Sequence, residues 1–247
     1  MADALTSAAV EPLLQGRFGR PFLYREMCES TQRLLEGSLD EGAVAVCDEQ
    51  IGGRGRLGRS WSAPAGTAIL VSVLLVPPTG RAIAELSLVG GVATAEAVEA
   101  ATGLDAEIKW PNDVLLDGRK VAGVLAEASE GAVVLGIGLN VNQEHDQLPA
   151  NTAPPAASLQ TATGRRRERA PVLADLLLRL ERAYDLWRNE SLGALHPGLQ
   201  ARDFLRGRRL VIDGERAFGI GIERDGRLEV EIAGERRLVE SGEVLLS

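Results

Sequence analysis

The chain has 247 residues, of which 45% are hydrophobic and 25% charged, and its formal net charge is −8. This length is enough for one large domain plus a small one. The acidic balance argues against general nucleic-acid binding, and no apolar run reaches the roughly 18 residues of a membrane span.

Cysteine and histidine are scarce, with two residues of each type. A disulfide scaffold and a histidine-rich metal site are therefore both excluded. Residues 1–15 lack a basic segment followed by an apolar core, so no secretory signal peptide is predicted. The expected location is the cytoplasm.

The first part of the chain predicts two strands on either side of a glycine-rich loop. Residues 1–20 are expected to form a loose N-terminal leader. The segment Ser30-Thr31-Gln32 is typical of a helix N-terminus, because short polar side chains cap free N–H groups there. Residues 43–47 and 68–76 are apolar, which favours strands.

The central part predicts a helix followed by an antiparallel meander. Apolar and small residues recur at helical spacing over 81–101, and Gly103 is a suitable stop. Asp117-Gly118 is a strong hairpin signal. The strands predicted for the meander are 114–116, 120–126 and 132–141.

The last part predicts a loop, a helix and a small β-domain. Residues 143–165 are rich in polar and turn-forming residues and are expected to form a long loop. An amphipathic helix follows from Val172 to Trp187. From about Arg208, short strands alternate with Asp-Gly and Ala-Gly turns, which predicts a small β-barrel of about 45 residues.

The most informative segment is the loop at 53–61, Gly-Arg-Gly-Arg-Leu-Gly-Arg-Ser-Trp, which we call the Gly/Arg loop. Its glycines let the backbone approach a ligand closely, and its arginines present forked donors suited to carboxylate and phosphate. The loop therefore predicts a site for a small polyanion. Gly53-x-Gly55-x-x-Gly58 also matches the dinucleotide fingerprint, but neither the following helix nor the acidic residue that this site needs is present.

Two lysines are the other candidates for chemistry. Lys120, Ala122 and Val124 are expected to share one strand face, where Lys120 either reaches water or directs a cation at a developing negative charge. Lys109 raises the same question, and Asp113 is expected either to hold Lys109 or to help position a metal. The amide side chains that accompany them are Asn112, a possible turn cap, and Asn140.

Four segments in this order resemble the motifs of the biotin–protein ligase family. They are residues 53–61, 109–114, 120–127 and 136–141, and Ser30, Thr31 and Gln50 lie upstream in matching places. The resemblance spans roughly 24–247. It implies an α+β fold, with a mixed-sheet catalytic domain of the class II aminoacyl-tRNA synthetase type at 21–200 and an SH3-like β-barrel at 201–247.

The resemblance also implies a reaction, in which biotin and ATP give biotinyl-5′-AMP and a carrier-domain lysine then takes the biotinyl group. ATP, Mg²⁺ and biotin would be substrates, with no bound prosthetic group and with unidentified metal ligands. The implied catalytic residues are Lys120, Arg56 and Arg54. The implied biotin contacts are Ser30, Thr31, Gln32, Gln50, Arg54, Gly55, Arg56 and Lys120. The implied nucleotide contacts are Arg56, Arg59, Trp61, Lys109, Asn112, Asp113 and Asn140.

The implied partner is the biotin carboxyl carrier domain of acetyl-CoA carboxylase or a related carboxylase, with no specific DNA and no membrane. The short segment before the catalytic region indicates the monofunctional type without an N-terminal DNA-binding domain. Leu57 occupies a position that is often basic in the family. Two alternatives remain: a lipoate–protein ligase, which uses the same acyl-adenylate chemistry, and a non-catalytic nucleotide- or anion-binding module.

Overall fold

The structure is a computed structural model that describes residues 3–37, 40–129, 131–150 and 152–246. A seven-stranded mixed sheet has the spatial order β1-β2-β3-β7-β6-β5-β4. Its strands are β1 (Phe22–Cys28), β2 (Val44–Gln50), β3 (Ala68–Leu75), β4 (Ala106–Lys109), β5 (Asp113–Leu116), β6 (Arg119–Ser129) and β7 (Ala132–Asn140). Among the strands of the described residues in this sheet, β1 and β2 run parallel and the other neighbouring pairs run antiparallel.

A second, five-stranded antiparallel sheet follows in the order β11-β10-β9-β8-β12. Its strands are β8 (Arg209–Ile212), β9 (Glu215–Ile222), β10 (Leu228–Ile232), β11 (Glu235–Val239) and β12 (Val244–Leu246). The helices are α1 (Ser7–Val10), α2 (Glu85–Thr102), α3 (Leu159–Thr163), α4 (Arg169–Asn189) and α5 (His196–Ala201). This arrangement confirms the predicted α+β fold with a small C-terminal β-domain.

Helices α2 and α4 pack together, and α2 lies on the large sheet. A side chain at Gly90 would meet Val124 of β6 at 2.8 Å, so a glycine there lets the helix approach the strands closely. The helix ends at Gly103, whose φ of 72° is left-handed, as predicted. It begins at Glu85, four residues later than the predicted start at position 81. In the described residues no helix is both long and apolar enough to cross a bilayer.

The predicted strands and the hairpin at Asp117-Gly118 are confirmed, and both turn residues have positive φ. Two other predictions are wrong. Instead of a helix, Ser30-Thr31-Gln32 leads only into a single 3₁₀ turn at Arg33–Leu35, because the Thr31 and Gln32 side chains make tertiary hydrogen bonds. The segment 143–165 is not wholly a loop, since Ser158 caps the short helix α3.

The N-terminal segment is packed, so the expectation of a loose leader is wrong for residues 3–20. Leu5, Val10 and Phe18 are buried in the main core. Asp3 accepts hydrogen bonds from the backbone and guanidinium of Arg169. A leader is ordered here because its few apolar side chains fill space against α4.

Arg169 joins three parts of the fold. Its side chain is 1% exposed, and it donates to Asp48 on β2 at 2.8 Å and to the carbonyl oxygen of Ala68 on β3 at 2.8 Å. Asp48 also accepts from the Tyr24 hydroxyl at 2.5 Å, which together with burial raises the pKa of Tyr24 to about 12. The guanidinium thus compensates a carboxylate that is itself largely buried.

We expect Arg169→Met to lower the free energy of unfolding by about 3 kcal/mol, because it leaves the Asp48 carboxylate buried without its partner. Urea denaturation measures this change. Arg166→Met, at an exposed position in the preceding segment, is the matched control and should change stability little. Equal losses in the two variants would contradict the structural role given to Arg169.

Candidate active site

One cavity of about 300 Å³ lies between the large sheet, the Gly/Arg loop and the edge of the small β-domain. Every residue that the sequence nominated for the site lines this cavity. From the upstream segments these are Ser30, Thr31, Gln32, Gln50, Arg54, Gly55, Arg56, Arg59 and Trp61, and from the meander Lys109, Asn112, Asp113, Lys120 and Asn140. The C-terminal β-domain adds residues 242–244, which the sequence did not nominate.

A buried polar wall is held together by neutral hydrogen bonds. The Gln50 side-chain oxygen accepts from the Thr31 backbone at 2.8 Å and from the Thr31 hydroxyl at 3.1 Å. The same hydroxyl lies 2.8 Å from that of Ser72, which is fully buried on β3. Ser72 was missed, although a single serine within an otherwise apolar buried strand is the signal that marks it. This wall offers fixed polar groups without net charge.

The Gly/Arg loop folds as a narrow hairpin. Gly55 N–H donates to the Arg59 carbonyl at 2.7 Å, and Trp61 N–H donates to the Gly53 carbonyl at 2.9 Å. A side chain at Gly53 would clash with the Trp61 carbonyl, which explains the glycine there. At the tip, Leu57 has φ of 56° and is 67% exposed, so its side chain points away from the core.

The loop closes onto the sheet through Trp61. A side chain at Gly138 would clash with the indole ring, and one at Gly123 would meet it at 3.0 Å. The bare backbones of β6 and β7 therefore form a floor for a flat ring. Lys120 Nζ lies 5.5 Å from the ring centroid, within range of a cation–π interaction.

Lys120 faces this floor, but the prediction that it shares a strand face with Ala122 and Val124 is wrong. Val121 is an extra residue in β6, because Val114 pairs with Ala122 whereas Leu115 pairs with Lys120. This β-bulge breaks the alternation, so Lys120 does not share a face with Ala122 and Val124. A side chain at Gly123 would instead lie 3.3 Å from Lys120 Nζ.

Asp113 holds Lys120, not Lys109. The Lys120 Nζ to Asp113 Oδ1 distance is 2.7 Å, and the two side chains are 25% and 13% exposed. The alternative in which Asp113 holds Lys109 is therefore wrong for this structure. Asn112 donates its side-chain amide to the Val124 carbonyl of β6 at 3.0 Å, so the side chain contacts a neighbouring strand and, among the described residues, is not seen to cap its own turn.

The cations of the site fall into two groups. Arg54 pairs with Glu127 at 3.0 Å, and Arg59 pairs with Glu243 of the C-terminal β-domain. In the described part of the chain, Arg56 and Lys109 have no ion pair within 4.0 Å. Burial lowers the pKa of both groups, and in Lys109 the charge of Asp113 opposes that effect. Buried Lys109 and partly buried Arg56 are thus the cations of the site without a carboxylate partner among the described residues.

Carboxylates at the site do not gather around a common point. Across the residues that the structure describes, no group of three or more His, Cys, Asp or Glu side chains is arranged to hold a metal ion. Glu127 and Glu243 instead hold arginines of the loop. Neither glutamate was predicted, because a partner from a distant strand leaves no local sequence signal.

Comparison with known proteins gives consistent matches. Residues 24–144 match the biotin/lipoate A/B protein ligase family. The chain is 35% identical over 222 residues to the bifunctional ligase/repressor BirA of Bacillus spizizenii, covering 80% of this chain and 68% of that protein. It is 35% identical over 223 residues to the biotin–[acetyl-CoA-carboxylase] ligase of Mycobacterium tuberculosis, covering 86% of this chain and 82% of that protein.

A solved structure agrees in fold. The biotin protein ligase from Aquifex aeolicus in complex with biotin and ATP superposes with a TM-score of 0.83 at 31% identity, covering 91% of this chain and 97% of that one. The chain therefore belongs to the biotin/lipoate A/B protein ligase family, among the biotin protein ligases.

Proposed function

We propose that the protein is an ATP-dependent ligase that activates biotin as biotinyl-5′-AMP and transfers the biotinyl group to a lysine of a biotin carboxyl carrier domain. The observation that carries this proposal is a cavity that combines a neutral polar wall with two cations, buried Lys109 and partly buried Arg56, that have no carboxylate partner among the described residues. The relative from A. aeolicus binds both biotin and ATP, which supports the same pair of substrates.

In the first step a biotin carboxylate oxygen forms a bond to the α-phosphorus of ATP, and the bond to pyrophosphate breaks. The barrier includes repulsion between two anions, which fixed positive charge offsets. We assign that charge to Lys120, Arg56 and Arg54. Lys120 suits the role because Asp113 and the Trp61 ring hold its ammonium group over the floor. ATP brings Mg²⁺ with its phosphates.

The remaining contacts are proposed from the same cavity. The biotin ring and carboxylate would contact Ser30, Thr31, Gln32, Gln50, Arg54, Gly55, Arg56 and Lys120. The nucleotide would contact Arg56, Arg59, Trp61, Lys109, Asn112, Asp113 and Asn140. For Arg54 and Arg59 this requires that a ligand anion compete with Glu127 and Glu243. The catalytic domain would span 21–200 and the C-terminal domain 201–247.

In the second step a lysine amine of the carrier forms a bond to the activated carbonyl, and AMP leaves. Between the steps the adenylate must be kept from water, and the Gly/Arg loop, which lines the cavity, would cover it. We propose a carboxylase carrier domain as the partner, in the cytoplasm, with neither specific DNA nor a membrane. Lipoate is not favoured, because the relatives from M. tuberculosis and A. aeolicus are named for biotin.

The direct test is mass spectrometry of a biotin carboxyl carrier domain after incubation with the protein, biotin and MgATP. The proposal predicts one added biotinyl group that requires both substrates and the acceptor lysine. A carrier whose acceptor lysine is replaced by arginine is the control. An unmodified wild-type carrier would favour the non-catalytic binding module instead.

We expect Lys120→Ala to lower the rate of biotin-dependent pyrophosphate release by about 100-fold, because a preorganised charge at the reacting centre is lost. The matched control is Arg119→Ala, at the exposed neighbouring position in the hairpin, which should retain its rate. If Lys120→Ala releases pyrophosphate at nearly the wild-type rate, the lysine does not act on the reacting phosphate.

We expect Arg56→Ala to bind the adenylate more weakly and to release biotinyl-5′-AMP into solution, because the mutation removes a partly buried cation from the loop. The released adenylate then biotinylates lysines of a bystander protein such as serum albumin, which a streptavidin blot detects. Arg165→Ala, far along the chain and exposed, should leave labelling confined to the carrier. Confinement to the carrier in Arg56→Ala as well would contradict a retaining role for the loop.

A further inference from the structure

A pair of buried amide side chains lies directly behind the cavity wall. The Gln143 Nε2 donates to the Asn140 Oδ1 at 2.8 Å, and the Asn140 Nδ2 donates to the carbonyl oxygen of Ala157 at 3.0 Å. Gln143 is 1% exposed and Asn140 6%. Asn140 lines the cavity whereas Gln143 does not, so the two amides connect the site to the protein interior.

The segment that accepts the Asn140 hydrogen bond is itself hydrogen-bonded to the backbone of Lys120. Lys120 N–H donates to the Pro155 carbonyl at 2.7 Å, and Ala157 N–H donates to the Lys120 carbonyl at 2.8 Å. We call residues 155–158 the strap. Ser158 closes the connection, since its hydroxyl donates to the Gln143 carbonyl at 2.7 Å. The β-bulge at Val121 adjoins this point, so the strap supports the ladder where β6 is irregular.

The orientation of both amides is determined by one carbonyl group. Because Ala157 offers only an acceptor, Asn140 must turn its nitrogen toward the strap and its oxygen toward Gln143. Gln143 must then present its nitrogen, which leaves its buried Oε1 without a hydrogen-bond partner. A buried acceptor without a partner is costly. An apolar side chain at position 143 would avoid that cost, but it could not orient the Asn140 amide.

We propose that Gln143 is a positioning residue for the activation step, and this inference rests on the proposed ligase function. By fixing the Asn140 amide it holds the strap, and the strap fixes the main chain from which Lys120 reaches the reacting centre. Gln143 acts through Asn140, Ala157 and Lys120 and does not touch substrate. Its loss moves Lys120 relative to Asp113 and to the nucleotide.

The test is a double-mutant cycle on biotin-dependent pyrophosphate release with the carrier domain in excess, so that the adenylate is consumed and turnover continues. Gln143→Met keeps the side-chain length and removes the donor, and we expect kcat to fall about 10-fold, as for a small misplacement of a catalytic group. In the Lys120→Ala background the same change should cause no further fall, because the group that Gln143 positions is absent. KM for biotin should change much less than kcat.

Gln160→Met is the matched control, since Gln160 also has a buried unpaired oxygen but its amide donates to Glu144 and not to Asn140. It should keep the wild-type kcat. If Gln143→Met does not fold, Gln143→Leu is the second variant, since leucine is also apolar and also lacks the donor. Thermal unfolding of each variant shows whether a lower rate comes from loss of folded protein or from a displaced Lys120 in a folded protein.

Independent, multiplicative losses from Gln143→Met and Lys120→Ala would overturn the inference while leaving the ligase function intact, as would a wild-type kcat in Gln143→Met. A wild-type protein that releases no biotin-dependent pyrophosphate would instead overturn the proposed function, and the inference with it. The two failures are therefore distinguishable in one set of assays.

Discussion

The site depends on the close approach of the Trp61 ring to the bare backbones of Gly123 and Gly138. A side chain at either position would lift the ring from the sheet. The ring brings the end of the Gly/Arg loop to β6 and β7, and it also places an aromatic face beside the Lys120 ammonium group. Loop position and lysine position are thus consequences of two missing side chains.

Charge is distributed so that some cations are committed to protein partners and others are left for ligands. Lys120, Arg54 and Arg59 each have a carboxylate partner, and these partners come from β5, β6 and the C-terminal β-domain. Buried Lys109 and partly buried Arg56 have depressed pKa values because burial disfavours their charged forms. A bound polyanion compensates the desolvation cost of these two charges. Burial therefore destabilises the charged groups in the free protein and strengthens their attraction to the ligand.

Much of this arrangement follows from the sequence, and the reasons for the exceptions are physical. Local signals such as Asp117-Gly118 and Gly103 predicted a hairpin and a helix end, because turn and cap chemistry is short-range. The strand face on which Lys120 lies was predicted wrongly. The β-bulge at Val121 shifts the alternation of side chains between the two faces, and it has no sequence signature. Glu243 was missed because its partner Arg59 lies far away along the chain. Gln143 was missed because it begins the segment 143–165, which was predicted to be a loop.

The central claim is that this cavity joins biotin to AMP, and a rapid-quench measurement of pyrophosphate tests it most directly. Mixing the protein with MgATP and biotin in the absence of carrier should give a burst of pyrophosphate equal to the enzyme concentration, because the adenylate stays bound. Lipoate in place of biotin should give no burst. A burst that appears with lipoate, or one that fails to appear with biotin, would contradict the account.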